Sequence, residues 1–391
     1  MITKICPLCH SENIKKNVFI KNKVNISCGV LNNTENSDKT NICNITLDRC
    51  EDCGFIFNSS FDLKKIQEQY KSSSYFLKKN VSESMIKKLN NVRDILLEFL
   101  DTDKKVIEVG SGDGALSIAL SPFVKEIYSI DPSINKENFK NYKNIIYINN
   151  FYNRDTVNNI LKEKVDMIIF RHLLEHIDTP FEFLEDIMMS VKDKGYIYIE
   201  VPNFEEITEN ARFYDIFHDH FGYYTKNVLE NKMESIGVKL LKTYYFHKNQ
   251  HIGLIFQKDK IDKINTFKPD TNIHFTFDQK ISNLNNIINN YKNIAIYGAG
   301  AHGNSILNYL TDDNLQKIKI CFDKDKNKQN KYLQNSNIKI QEPSNIHNLD
   351  LIIIASALYE DEICNDLINN YKVKCDILKT SNKLEVNKHE N

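Results

Sequence analysis

At 391 residues the chain is too long for one core of ordinary size, so two or three domains are expected. Hydrophobic residues at 41% and charged residues at 26% describe a globular chain rather than a disordered one. With 51 Lys+Arg against 52 Asp+Glu the formal charge is −1, which provides no electrostatic footprint for nucleic acid or an anionic membrane. No apolar run reaches the length of a membrane span, and the start, MITKICPLCH, lacks the charged and apolar regions of a signal peptide, so the cytosol is the expected compartment.

Residues 1–60 read as short, irregular and cysteine-bearing. Cys6-Pro-Leu-Cys9 and Cys50-Glu-Asp-Cys53 are two Cys-x-x-Cys turns, each able to present two thiolates to one ion. His10 is adjacent, and Cys28 and Cys43 lie between the pairs. A closed four-thiolate site has no open position for water, so the expected role is a structural zinc. Residues 61–100 read as a helical connector, with Met85, Leu89, Val92, Leu96 and Phe99 recurring on one apolar face.

From 101 to 260 the pattern becomes α/β. Val106–Val109 is a predicted strand, followed by a glycine loop and a helix; further strands are predicted at 126–130, 145–148, 165–170 and 196–201, with a helix near 180–192. Strands separated by helices predict a parallel, doubly wound sheet. A polar linker is expected over 261–278, and a second α/β domain over 279–391, with strands at 294–297, 318–322 and 351–354 and a polar tail from about 381 that should fray.

Only 12 glycines occur in the whole chain, and six of them fall in two loops. In VIEVGSGDG, Gly110, Gly112 and Gly114 follow a strand and open a helix, where backbone can turn tightly and a ligand can lie against exposed amides. Glu108 precedes this loop, and Asp131 ends the next strand, where a carboxylate can accept both hydroxyls of a ribose. Further on, His218-Asp219-His220 sits in an aromatic stretch after the fifth strand, and imidazole beside carboxylate suits general-base chemistry. The second loop, Gly298-Ala299-Gly300-Ala301-His302-Gly303, is a literal Gly-x-Gly-x-x-Gly, with Asp323 closing the following strand; alone it would read as an NAD site.

The strand-end acid, Gly-x-Gly-x-Gly and second-strand acid together resemble class I S-adenosylmethionine-dependent methyltransferases, as do DMIIFRHLLEHID and GYIYIEVPN. That resemblance implies a Rossmann-like domain whose Gly110, Gly112 and Gly114 pack on the methionine part of the donor, with Asp131 on the ribose and Asn150 and Phe151 flanking the adenine. The whole arrangement resembles more narrowly the zinc-containing sugar C-methyltransferases of deoxysugar pathways, built from a four-Cys module, a methyltransferase centre and a C-terminal Rossmann-like domain. Their Tyr-x-Glu-His motif is matched here by Phe217, Asp219 and His220, their Tyr after the zinc module by Tyr75, and their His after strand four by His176. The resemblance implies C-methylation of a nucleotide-linked keto-deoxysugar, with His220 as base, Asp219 orienting it, and His176 or Tyr75 supporting the enolate oxygen. It also implies that the 298–303 loop helps hold the sugar nucleotide. An O-methyltransferase on a related acceptor and an NAD-dependent oxidoreductase are the alternatives, and neither nucleic acid nor membrane is an expected partner.

Overall fold

The computed structural model describes residues 4–26, 31–32, 42–71, 83–153, 155, 161, 163–259, 273, 275–344 and 346–389. Tyr75, Cys28 and most of the expected linker lie outside the described residues.

The N-terminal region is more regular than its sequence suggests. Strand β1 (Ile14–Asn25) pairs antiparallel with β3 (Ile42–Cys50), and β3 with β4 (Ile56–Asn58). The pairing of β1 shifts register between Lys15 and Phe19 and again between Lys21 and Val24, at positive-φ Asn17 and Lys23. Each shift re-phases the inward alternation, which hides a 12-residue strand from a period-two reading. A two-residue strand β2 (Leu31–Asn32) completes this region and pairs far along the chain with β15 (Tyr332–Leu333).

Helices Leu63–Lys71 and Glu83–Leu96 follow. The second presses Val92, Ile95 and Leu96 onto the central sheet, with Leu89 and Phe99 packed at the margin of that core; the Met85 side chain lies outside the described residues.

The central sheet has the order β11-β12-β9-β8-β5-β6-β7. Its parallel strands are β5 (Lys105–Val109), β6 (Glu126–Ile130), β7 (Ile145–Ile148), β8 (Val165–Arg171) and β9 (Val191–Pro202). Their centres are near-continuous apolar runs because helices cover both faces. The sheet is completed by an antiparallel pair, β11 (Val238–Phe246) and β12 (His251–Lys258), with β12 hydrogen-bonded to β9. The chain direction of crossover reverses between β5 and β8, which opens a crevice at the carboxyl ends of those strands.

Strand β10 (Gly222–Tyr223) leaves this domain and pairs with β4, giving an N-terminal sheet ordered β1-β3-β4-β10. The C-terminal sheet is ordered β16-β14-β13-β17-β18-β19, from β13 (Ile294–Tyr297), β14 (Ile318–Phe322), β16 (Ile340–Gln341), β17 (Leu351–Ile354), β18 (Asp376–Lys379) and β19 (Glu385–Asn387). It is parallel except for β19, so the tail expected to fray instead forms an antiparallel edge strand on β18.

The cores cross the domain limits read from sequence. Cys6, Leu8, Phe55 and Phe57 are buried in one cluster with Ile107, Phe170 and Leu229 of the central domain. Phe19, Val24, Ile45 and Leu47 are buried in another with Phe277, Ile296 and Ile306. Among the described residues, no helix is long and apolar enough to cross a membrane.

Candidate functional site

The loop after β5 places three glycines at positive φ: 70° at Gly110, 56° at Gly112 and 77° at Gly114. Their surroundings differ. A Cβ on Gly114 would stand 2.1 Å from the Phe139 ring, and one on Gly110 would stand 3.1 Å from Leu173, so those two are packing positions. A Cβ on Gly112 would meet nothing within 4 Å. Gly112 therefore borders open space at the crevice, where a ligand can lie along the backbone.

Asp131, at the end of β6, receives the Gly112 amide on Oδ2 at 2.9 Å and the Ser133 amide and hydroxyl on Oδ1 at 2.7 and 2.6 Å. A carboxylate has about four lone-pair sites, so with three taken the group is held in place and keeps about one, on Oδ2, for a ligand hydroxyl. Phe151, just past β7, is 63% exposed beside exposed Asn150, presenting a ring face to a planar partner at the same edge. Glu108 is buried, accepts from Ser117 Oγ at 2.5 Å, and burial raises its carboxyl to about 7. An open cradle, an anchored acid and an exposed ring in this order fit a nucleoside-bearing methyl donor.

Beyond β8 and β9 the structure gathers side chains from several segments. His172 adopts φ 50° at the end of β8, a left-handed conformation uncommon outside glycine. Its Nε2 lies 3.1 Å from Glu200 Oε1, and its ring meets His251 edge to face at 4.9 Å. Glu200 also takes Arg171 Nε at 2.6 Å and the Tyr198 hydroxyl at 2.9 Å. Burial alone would raise its carboxyl, but Arg171 and His172 hold it well below the usual range.

His176 donates Nδ1–H to the Asp219 carbonyl at 2.7 Å, and Phe221 N–H donates to the Glu175 carbonyl at 2.6 Å. These two bonds zip the turn after β8 to the 217–221 loop and set the His176 and His220 rings 4.9 Å apart, edge to face. His220 is buried, and burial first, then neighbouring His176, His172 and His251, pushes its imidazole well below the usual range, so the ring is neutral near pH 7. The structure thus brings His176 and His220 together. Asp219 joins them through its backbone carbonyl, while its charge bears on His218. Glu175, His172, Glu200 and His251 complete the cluster without having been singled out by the sequence. Within HLLEH the spacing of His172, Glu175 and His176 was the available signal; Glu200 and His251 arrive only by strand pairing.

His218 is a fastener. Its Nδ1–H donates to the Asn44 carbonyl at 2.7 Å, and its Nε2 accepts the Asp62 amide at 3.2 Å. Asn58 adds Nδ2–H to the His218 carbonyl at 3.1 Å and N–H to the Phe221 carbonyl at 2.8 Å. The loop carrying His220 is therefore suspended from the cysteine-bearing sheet.

At the end of that sheet, in the turn before β1 and from the last residue of β3 into the turn after it, Cys6, Cys9, Cys50 and Cys53 converge, with Cys6 Sγ 3.7 Å from Cys53 Sγ and Cys9 Sγ 3.6 Å from Cys50 Sγ. Four sulfurs at about 2.3 Å around one tetrahedral ion stand about 3.8 Å apart, so the quartet has the dimensions of a metal site. Cys43 is not in it; its side chain packs with Ile26 and Ile66. The second glycine loop repeats part of the first: the Ala299 amide donates to Asp323 Oδ2 at 2.8 Å. Here, however, Lys328 Nζ already pairs with the same oxygen at 2.9 Å, and a Cβ on Gly303 would stand 1.9 Å from the Gly298 carbonyl, which is close strand-to-helix packing.

The family model described as "Methyltransferase domain" matches residues 79–243, and a second, described as "C2185-like, N-terminal", matches residues 290–377. The C-methyltransferase NovU of Streptomyces niveus is 24% identical over 165 residues, 41% of this chain and 39% of NovU, so the chain spans about two fifths of the length of that curated relative. Among solved structures, the N-methyltransferase NodS of Bradyrhizobium japonicum in complex with S-adenosylhomocysteine is 11% identical, covering 50% of this chain and 97% of NodS at a TM-score of 0.37. An rRNA methylase of Streptococcus thermophilus is 15% identical, covering 47% of this chain and 99% of the methylase at a TM-score of 0.29. With the glycine cradle, its acid and the strand order, the family match carries the conclusion that the central part of this chain is a class I, S-adenosylmethionine-dependent methyltransferase domain.

Proposed function

We propose that the chain methylates a carbon beside the carbonyl of a keto-deoxysugar carried on a nucleotide. The observation that carries this reading is the neutral, buried His220 set against His176 at the carboxyl edge of the donor-binding sheet. When bound along Gly112 and Asp131, with Asn150 and Phe151 beside its adenine, S-adenosylmethionine supplies an electrophilic methyl group on sulfonium.

The rest is work for the chain. A C–H next to a carbonyl is acidified because its anion spreads onto oxygen. His220, neutral near pH 7, takes that proton onto its ring. The Asp219 backbone, through His176, keeps the two imidazoles in register. Because His176 commits Nδ1–H to a carbonyl, its Nε2 donates to an enolate oxygen only as imidazolium, so support from His176 belongs to its protonated form. Tyr75 remains the second candidate for that hydrogen bond. Burial of His220 limits water at its ring, while partly buried His176 leaves the acceptor a way in, and holding acceptor and donor side by side is what the fold contributes. On a hydroxyl acceptor the same ring would deprotonate oxygen. A redox role for the 298–303 loop is the weaker reading, since Lys328 occupies the Asp323 oxygen nearest the loop.

Zinc is the ion we assign to the cysteine quartet, as a structural staple, and four thiolates held for metal suit the reducing cytosol. The test uses full-length protein, S-adenosylmethionine and a panel of keto-sugar nucleotides, with methyl transfer and deuterium uptake at the acidic carbon both measured. His220→Ala should lower both by about 100- to 10,000-fold while leaving S-adenosylhomocysteine binding intact. Undiminished deuterium uptake would remove His220 from the base role.

A further inference from the structure

We infer that Glu175, His176 and His220 form a second metal site, separate from the cysteine quartet, that takes one divalent transition-metal cation. One ligand atom from each of the three lies within 4.8 Å of the others. Closing on an ion at about 2.1 Å would draw these atoms to just over about 3 Å from one another, a shift within reach of small side-chain rotations.

Two features independent of proximity point to a ligand. Glu175 is 2% exposed, and its Oε2 is buried without a hydrogen-bond partner. Its other oxygen is 3.9 Å from His172 Nδ1, beyond hydrogen-bond reach. A buried carboxylate oxygen left unpaired costs free energy that a cation would offset. His176, meanwhile, is oriented as metal-binding imidazoles are: one ring N–H is committed to a backbone carbonyl, at 2.7 Å, which fixes the tautomer and leaves the lone pair of Nε2 facing away from that bond. Because His176 is only partly buried, the cluster is reachable from solvent.

The donor set decides the ion. Two imidazoles and one carboxylate, with remaining positions for water, suit zinc, cobalt, nickel or ferrous iron; magnesium and calcium favour all-oxygen ligands. An ion there would engage the ring lone pair of His220. The consequence, which rests on His220 being the base, is that the cation inhibits methyl transfer by occupying the group that must receive the proton.

The experiment is a cobalt(II) titration of full-length protein already loaded with zinc, followed by visible absorption. One further cobalt per chain should bind, with a spectrum of nitrogen and oxygen ligation and no thiolate charge-transfer band. Glu175→Gln and His176→Asn should each weaken that binding by about 100-fold or more, beyond the cost of losing a group that merely supports a ligand. S-adenosylhomocysteine binding measured on the same variants reports that they are folded. A chain that takes no cobalt beyond the thiolate site, or folded variants that bind the second cobalt as well as the parent, overturns the metal site. Turnover falling in step with cobalt occupancy supports the blocked base. Cobalt bound with turnover unchanged or raised keeps the metal site and removes His220 as base.

Discussion

Two neighbouring glycines separate a turn that only needs room from a cradle that needs a ligand. Gly112 and Gly114 share left-handed backbone, at φ 56° and 77°. Substituting either by alanine costs about 1–2 kcal/mol from that conformation alone. At Gly114 the new Cβ also meets Phe139 at 2.1 Å, adding an overpacking cost of about 1–3 kcal/mol. At Gly112 it meets nothing within 4 Å. Gly114→Ala should therefore lose about 2–5 kcal/mol of stability by summing those two terms, and Gly112→Ala only about 1–2 kcal/mol. Donor affinity should follow the opposite order once only folded protein is compared. A methyl group at Gly112 fills the space along which the donor lies, so S-adenosylhomocysteine affinity should fall by at least about tenfold, or about 1.4 kcal/mol. Denaturant melts give the first quantity and calorimetry the second. Normal S-adenosylhomocysteine affinity in Gly112→Ala would refute the placement of the donor in this crevice.

Asp131→Asn should weaken S-adenosylhomocysteine binding by about 1.5–3 kcal/mol, the worth of hydrogen bonds to a charged acceptor, as read by calorimetry. Cys50→Ser should release one metal ion per chain and remove part of the roughly 10–16 kcal/mol that structural zinc supplies to small modules, seen as lost zinc by mass spectrometry and a lower melting temperature. His302 stacks on Tyr214 at 3.5 Å, and burial holds its imidazole well below the usual range. The folded chain thus binds fewer protons there than the unfolded chain, so its contribution is complete above about pH 6.5 and is lost as pH falls from there towards the folded value. In His302→Gln the fall of stability with acidification should be shallower by up to about 1.4 kcal/mol per pH unit, measured by denaturant melts from pH 7 to 5.

What the sequence displayed and what it concealed have separate physical causes. Val106–Val109 is buried throughout and Val165–Phe170 at every position but Asp166, so each is legible as an apolar run broken by a single acid, Glu108 or Asp166, ahead of its loop. The glycines after β5 were legible because backbone at positive φ leaves few other choices. β1 was not, because two register shifts scramble its alternation, and β10 was not, because two residues form a strand only when β4 offers its edge. The expectation for Asp219 came from its place in a motif; in three dimensions its carbonyl, not its position next to His220, holds His176. The histidine–carboxylate cluster draws on residues 172–176, 200, 218–220 and 251, and no spacing along the chain encodes a meeting of four segments.

The suspension of the 217–221 loop from Asn44, Asn58 and Asp62 bears on how such a protein can be cut and recombined. A chimera that kept everything from residue 101 onward and exchanged what precedes it would keep the glycine loop and Asp131, yet the strip bearing His220 would have nothing to hang from. The practical seam does not run between the cysteine turns and the sheet that follows them; a graft that keeps His220 in place must carry both sides of that join.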